Sequence, residues 1–194
     1  MKVVIFCGGL GTRLREHSET IPKPLVPIGP MPILWHLMRY YAHFGHKDFI
    51  LCLGYKGDAI RDYFLNYNPY LTRDFAMVGN GGGFRPKESD IEDWTIQFVD
   101  TGLHSNIGQR LSRIRPYLDG DELFLANYGD QLSDLPLDEH IERFEKSKAV
   151  AGFVAVHPSQ SFHLVATDAQ HRVSSINSVE SSDIWINGGF MVLR

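Results

Sequence analysis

The residues Met1-Lys2-Val3-Val4-Ile5-Phe6-Cys7, followed at once by Gly8-Gly9-Leu10-Gly11-Thr12-Arg13-Leu14, decide the fold. The apolar run has the length of a strand and stops at Gly8. That is too short for the apolar core of a signal peptide, and Arg13 and Arg15 follow, so it reads as a buried strand. Glycines directly after such a strand let the backbone turn sharply and bring its N–H groups close to an anion, for which phosphate is the natural ligand. The loop is not a Walker A, because the Gly-Lys-Ser/Thr ending is missing. As a dinucleotide fingerprint it fails at Leu14, where the third glycine belongs, and no acidic residue closes the second strand at Leu53. These two absences count against a nicotinamide-dependent dehydrogenase. Taken alone, the loop also reads as a tight turn.

Outward from this stretch, apolar runs of strand length recur at Phe49 to Leu53, Trp94 to Val99, Leu123 to Ala126, Val150 to Val156 and Gly189 to Leu193. Helical patterns fall between several of them. The clearest follows Pro30, with Pro32 suited to a first turn, and places Ile33, Leu37, Tyr40, Tyr41 and Phe44 on one face before Gly45 ends it. Others run over Ala59 to Tyr67, Gly108 to Tyr117 and Leu137 to Lys146. Strands alternating with helices predict an α/β fold with a Rossmann-like, mainly parallel sheet covered by helices on both faces. Val78 to Asp93 reads as a long mobile loop, and Pro158 to Asn187 as short strands and turns. No internal repeat is visible, and residues 1–194 read as one domain.

Composition narrows the function classes. With 43% apolar and 12% aromatic residues the chain can bury one sizeable core. Lys and Arg total 19 against 23 Asp and Glu, a net charge of −4 that gives no general reason to seek nucleic acid or membrane. Any anion site must be local. The two cysteines, Cys7 and Cys52, are too few for a disulfide scaffold or a Cys-rich zinc site and read as small core residues. No run approaches the roughly 18 apolar residues that span a bilayer. These features predict a soluble, cytoplasmic protein. His43 and His46 stand at i, i+3, but no third ligand falls at the right spacing, so they read as ordinary packing.

Further along, Pro22-Lys23-Pro24-Leu25 stiffens an extended segment and fixes the direction of one lysine, suited to a phosphoryl oxygen or simply solvated. The combination is more specific than its parts. Gly-Gly-x-Gly-Thr-Arg-Leu at 8–14, Pro-Lys-Pro-Leu at 22–25, Pro32-Ile33-Leu34 opening a helix and Gly54-Tyr55-Lys56-Gly57 resemble the signature of the sugar-1-phosphate nucleotidyltransferases. Val99-Asp100-Thr101-Gly102, Gly108-Gln109-Arg110-Leu111 and Tyr128-Gly129-Asp130 look most like the branch of that family that transfers a cytidylyl group to glucose-1-phosphate.

The resemblance implies transfer of a nucleotidyl group from CTP to glucose-1-phosphate, with pyrophosphate leaving and Mg²⁺ as cofactor. Such chemistry needs positioned cations, backbone donors and a metal carboxylate rather than a nucleophilic triad. Arg13 matches the family's signature arginine and would clamp the leaving pyrophosphate; Lys23 would neutralise the α-phosphate; Asp130 would bind Mg²⁺. Backbone groups of Gly8, Gly9, Leu10, Gly11 and Thr12 would line the nucleotide, with Arg110 beside the base. Asp130 also reads as a turn cap, and Asp100-Thr101-Gly102 as a turn that needs no ligand. Asn187-Gly188-Gly189 matches the family's sugar-binding Asn-Gly-Gly, which assigns Asn187 and Gly188 to the acceptor. The family also implies a homo-oligomer, with the Val78 to Asp93 loop and the edge after Leu193 as candidate contact surfaces.

Two departures stand out. Phe162 is followed by His163 where the family has Gly, and Ser178-Val179 stand where Glu-Lys is expected, with no Lys between Lys148 and Arg194. The chain also ends on a strand-like run, which predicts that it lacks the family's C-terminal portion and its second metal-binding Asp. The rival reading is a regulatory paralogue that binds a nucleotide or sugar nucleotide without turnover.

Overall fold

In a computed structural model of the chain, which describes residues 1–9, 21–79, 83–86, 89–159 and 161–194, the opening run forms β1 (Lys2–Phe6). A short hairpin, β2 (Pro27–Ile28) and β3 (Met31–Pro32), leads into α1 (Ile33–His43). Next come β4 (Asp48–Leu53), α2 (Gly57–Leu65), the hairpin β5 (Phe75–Val78) and β6 (Gly83–Pro86), and β7 (Thr95–Asp100). The chain continues through α3 (Ile107–Ile114), β8 (Phe124–Tyr128) and α4 (Leu137–Glu145). Short strands complete it: β9 (Ala151–Gly152), β10 (Ala155–Val156), β11 (His163–Thr167), β12 (Val173–Ser178), β13 (Ile186–Asn187) and β14 (Met191–Leu193).

The main sheet has the order β7-β4-β1-β8-β14-β9. Its first four strands are parallel, with Val3 between Phe49 and Leu125, and β14 runs antiparallel to both β8 and β9. Val3, Val4 and Ile5 are completely buried because helices cover both faces. On one face Val3 and Ile5 pack with Leu34, Leu37 and Tyr41 of α1, Ile60 of α2 and Ile141 of α4; on the other Val4 and Phe6 pack with Ile114 of α3. The α/β class and the mainly parallel sheet follow the sequence pattern.

Several details differ from it. The buried stripe of α1 is Leu34, Leu37, Met38 and Tyr41, one position along from the expected face, leaving Ile33, Tyr40 and Phe44 half-buried on its flank. Gly45 does end the helix, at φ +84°, its N–H bonding Ala42 O while that of His46 bonds Tyr41 O, a left-handed cap that favours glycine. The expected loop at Val78 to Asp93 contains β6, which pairs antiparallel with β5. The single strand expected over Val150 to Val156 is broken into β9, in the main sheet, and β10, which pairs with β13. The break is at Val154, whose N–H and C=O are taken by Gly189 O and Gly188 N.

Candidate active site

From β1 the chain steps outward to β4 and β7, then returns to the other side of β1 as β8. The order reverses between β1 and β8, and the crevice beyond the carboxyl ends of strands at such a switch point is where open α/β sheets bind ligands. The ends of these two strands therefore locate the site before any motif is consulted.

At the end of β1, Cys7 N–H donates to Cys52 O (3.0 Å), and Gly8 O accepts from Tyr55 N (3.4 Å). Beneath Gly8 lies the Arg110 guanidinium of α3, itself only 5% exposed. Its Nη1 donates to Leu53 O (3.0 Å) and Thr101 Oγ1 (2.5 Å), and its Nη2 to Gly8 O (3.0 Å). A Cβ on Gly8 would collide with this guanidinium, and one on Gly54 would lie 2.9 Å from Gly8 O. The glycines thus allow two strand ends to close over a buried cation, which burial shifts toward a lower pKa. α3 itself is fixed by a reciprocal cap, Asn106 Oδ1 accepting from Gln109 N and Gln109 Oε1 from Asn106 N (both 2.9 Å).

Across the switch point, Gly129 N donates to Phe6 O (3.1 Å) and carries the chain to Asp130. Pro22, extended at φ −64° and ψ 142°, delivers Lys23 into a short 3₁₀ turn whose Pro24 is buried against Gly129. A Cβ on Gly129 would stand 3.0 Å from Pro24 Cγ. This packing brings Lys23 Nζ to 3.5 Å from Asp130 Oδ2, a long ion pair at the mouth of a cleft of about 470 Å³. Lys23, Tyr128, Asp130, Gln131 and Asn187 line the cleft.

The far wall is the turn Asn187-Gly188-Gly189-Phe190. Asn187 Oδ1 accepts from Gly189 N (2.8 Å), which turns its Nδ2 toward the Tyr128 hydroxyl (3.2 Å). Gly188 N–H is used by Val154 O (2.8 Å), so Gly188 serves the wall rather than facing the cleft with a free donor. Of the two departures from the family pattern, Phe162 is 64% exposed, whereas Val179 is buried and donates its N–H to Phe162 O (2.9 Å).

The structure therefore brings together Lys23, Asp130 and Asn187, with Gly8 and Gly9 at the end of β1 and Arg110 beneath them. Leu10, Gly11, Thr12 and Arg13 lie outside the described residues. Asp100-Thr101-Gly102 is a turn, Asp100 Oδ1 accepting from Gly102 N (2.9 Å), and its Thr101 hydroxyl donates to Leu53 O (2.7 Å). Sequence reasoning did not pick out Gln131, whose Oε1 is buried without a partner among the described residues, or Asn127 and His140, which bond the backbone of Phe190. For Asn127 there was a signal: a polar residue continuing the apolar run at Ala126.

Among the described residues no three His, Cys, Asp or Glu side chains form a metal cage. One carboxylate, Asp130, faces the cleft with a side chain 36% exposed. That donor set suits Mg²⁺, which keeps several waters and takes one or two carboxylates plus substrate phosphates. Burial pushes both thiols up, Cys52 to about 12 and Cys7 well above its ordinary value, so neither is a nucleophile here. No helix among the described residues is long and apolar enough to cross a membrane.

Residues 2–178 match the family described as Nucleotidyl transferase. The chain is 41% identical over 195 residues to glucose-1-phosphate cytidylyltransferase of Salmonella typhi, an alignment covering all of this chain and 75% of that protein. It is 44% identical over 198 residues to D-glycero-alpha-D-manno-heptose 1-phosphate guanylyltransferase of Campylobacter jejuni, covering all of this chain and 76% of that one. Among solved structures, HddC from Yersinia pseudotuberculosis complexed with GMP-PN superposes with a TM-score of 0.65 at 26% identity, over 99% of this chain and 76% of that one.

Proposed function

The chain belongs to the nucleotidyl transferase family and transfers a nucleotidyl group to a sugar-1-phosphate, forming a nucleoside diphosphate sugar; we propose that its donor is CTP and its acceptor glucose-1-phosphate. The cleft carries this reading: Lys23 and Asp130 meet beyond the carboxyl end of β8, beside Asn187, and Gly129 N bonds Phe6 O at the end of β1. A phosphate oxygen of the acceptor attacks the α-phosphorus in line, forming one O–P bond as the bond to the pyrophosphate oxygen breaks. The acceptor phosphate is already ionised, so no general base is required, and the protein's task is to align anions and offset their charge.

Lys23 is suited to the α-phosphate because the prolines on either side hold its stem and the cleft screens it from solvent. Arg110 holds Gly8 O at the end of β1, which supports assigning the backbone of Gly8 and Gly9 to the triphosphate. We assign Arg13 to the leaving pyrophosphate and the backbone of Leu10, Gly11 and Thr12 to the nucleotide. Asp130 is the residue to hold Mg²⁺, which when bound offsets charge on the phosphates. Asn187, with its Nδ2 turned into the cleft, is an oxygen-binding donor for the acceptor sugar.

The similarity to the Campylobacter heptose 1-phosphate guanylyltransferase favours a second reading, GTP with a heptose-1-phosphate. Pyrophosphate release with Mg²⁺, measured with CTP or GTP against each sugar-1-phosphate, separates the two. CTP-selective release with glucose-1-phosphate, lost in Asp130→Asn, supports the first; selectivity for GTP with the heptose supports the second. Binding of triphosphate without release from any pair would point to the non-catalytic paralogue.

A further inference from the structure

We infer that Asn127 and His140 are positioning residues for the acceptor half of the site, acting by holding Gly189 and Phe190 in the left-handed conformation that aims Asn187 into the cleft. Gly189 has φ +76° and Phe190 φ +47°. Glycine accepts that region freely, but a phenylalanine there is a strained outlier that persists only when its surroundings enforce it. The surroundings do so at both polar atoms of the residue. Its N–H donates to Asn127 Oδ1 (3.1 Å), and its C=O accepts from His140 Nε2 (2.9 Å). Its ring, 2% exposed, is packed against Tyr40 and Tyr41 with centroids 5.4 and 6.2 Å away.

The consequence reaches the cleft through one turn. With Gly189 N–H presented inward, Asn187 Oδ1 accepts it, and the remaining Nδ2 faces the Tyr128 hydroxyl and the cleft. Asn127 also accepts from Tyr128 N (2.9 Å), so one buried amide ties the turn to the strand end that carries Asp130. A carbonyl can only accept, so His140 carries a proton on Nε2. Both the Nε2–H tautomer and the doubly protonated ring can make this bond.

This inference rests on the reading of Asn187 as the acceptor's ligand. It is tested by steady-state kinetics on the full chain, with KM for the sugar-1-phosphate and for the triphosphate measured separately in the wild type, His140→Ala, His140→Gln and Asn127→Ala. His140→Ala is expected to raise the acceptor KM about tenfold, as a displaced binding group does, with the triphosphate KM within about twofold. His140→Gln, which keeps an N–H donor, restores most of the loss. Equal changes in both KM values, no change in either, or a glutamine no better than alanine would overturn the clamp. Should Asn127→Ala fail to fold, the His140 pair decides. Should the wild type turn over no sugar-1-phosphate, the parent reading falls, and the clamp is decided by the Asn187 side-chain amide resonances in NMR. His140→Ala must move those resonances and His140→Gln must return them; if they stay in place the clamp is wrong.

Discussion

The two halves of the cleft are built by opposite means. On the nucleotide side, the ends of β1 and β4, each paired on both sides, and of the edge strand β7 close over a buried cation, with Arg110 bonded to Gly8, Leu53 and Thr101. On the acceptor side, a turn with two left-handed residues is held by side chains from β8 and α4, and the β11–β12 hairpin of the same C-terminal region leaves Val165 and Ile176 55% and 61% exposed. The first half is part of the core and cannot shift without unfolding neighbours. The second reaches the same core through Phe190 and β14 but leaves Ile186 and Asn187 exposed. On the proposed roles, placing the acceptor wall on a turn outside the parallel strands lets one scaffold keep its chemistry while the sugar changes.

Breaking the residue that serves both halves should have the largest effect. Lys23→Ala is expected to lower turnover by about two to three orders of magnitude with any acceptor, the scale of losing a fixed charge stabiliser in a transition state. Lys23→Arg should restore little, because a planar fork does not replace a point charge between two prolines. Rapid-quench measurement of the chemical step checks this, and an acceptor-dependent loss would assign Lys23 to the sugar side instead.

Arg110→Ala comes next and separates the halves by stability. It takes a charged donor from Gly8 O, Leu53 O and Thr101 Oγ1, while Tyr55 N and Thr101 still serve the two carbonyls, and a loss of about 2–3 kcal/mol is expected, the scale of a hydrogen bond to a charged group. Urea unfolding measures it. The triphosphate KM should rise with it, while the acceptor KM changes less.

Gly189→Ala should act on the other half alone. The new methyl would meet Asn127 Oδ1 and Gln131 Oε1 in a backbone conformation that disfavours alanine. A loss of about 1–2 kcal/mol is expected, with the acceptor KM raised and the triphosphate KM unmoved. If both KM values move together, the two halves are one unit and the contrast drawn above fails.

The same contrast explains what could be read from the chain. The nucleotide half is written locally: an apolar run, then glycines, then a lysine between prolines, each with a backbone reason that holds at short range. The acceptor half depends on residues far apart. His140 reaches Phe190 across fifty positions and Asn127 across sixty-three, and neither spacing leaves a periodic trace. Arg110 shows the limit from the other side, because its helix was legible but not the three oxygens that bury its guanidinium. The break in the Val150 to Val156 run has the same cause. It is made by Gly188 and Gly189, which sit far along the chain.

The smallest expected effect sharpens the comparison through pH, because both thiols lie on the nucleotide side. Cys7 and Cys52 are buried at the ends of β1 and β4, and burial raises both, Cys52 to about 12. For an acid whose folded pKa is raised, the folded state holds its proton more tightly than the unfolded chain. The stabilisation is complete below the unfolded thiol value of about 8.5 and is lost as pH climbs from there toward the folded value. Urea midpoints taken from pH 8 to pH 9.5 should fall by an amount equivalent to about 1 kcal/mol per thiol at the upper end. In the Cys7→Ala, Cys52→Ala double variant that part of the slope should vanish. A slope that survives would place the alkaline weakness elsewhere. A slope that vanishes, with a rising triphosphate KM and a steady acceptor KM in the wild type over the same range, would show that the nucleotide half loosens first while the acceptor wall stays in place.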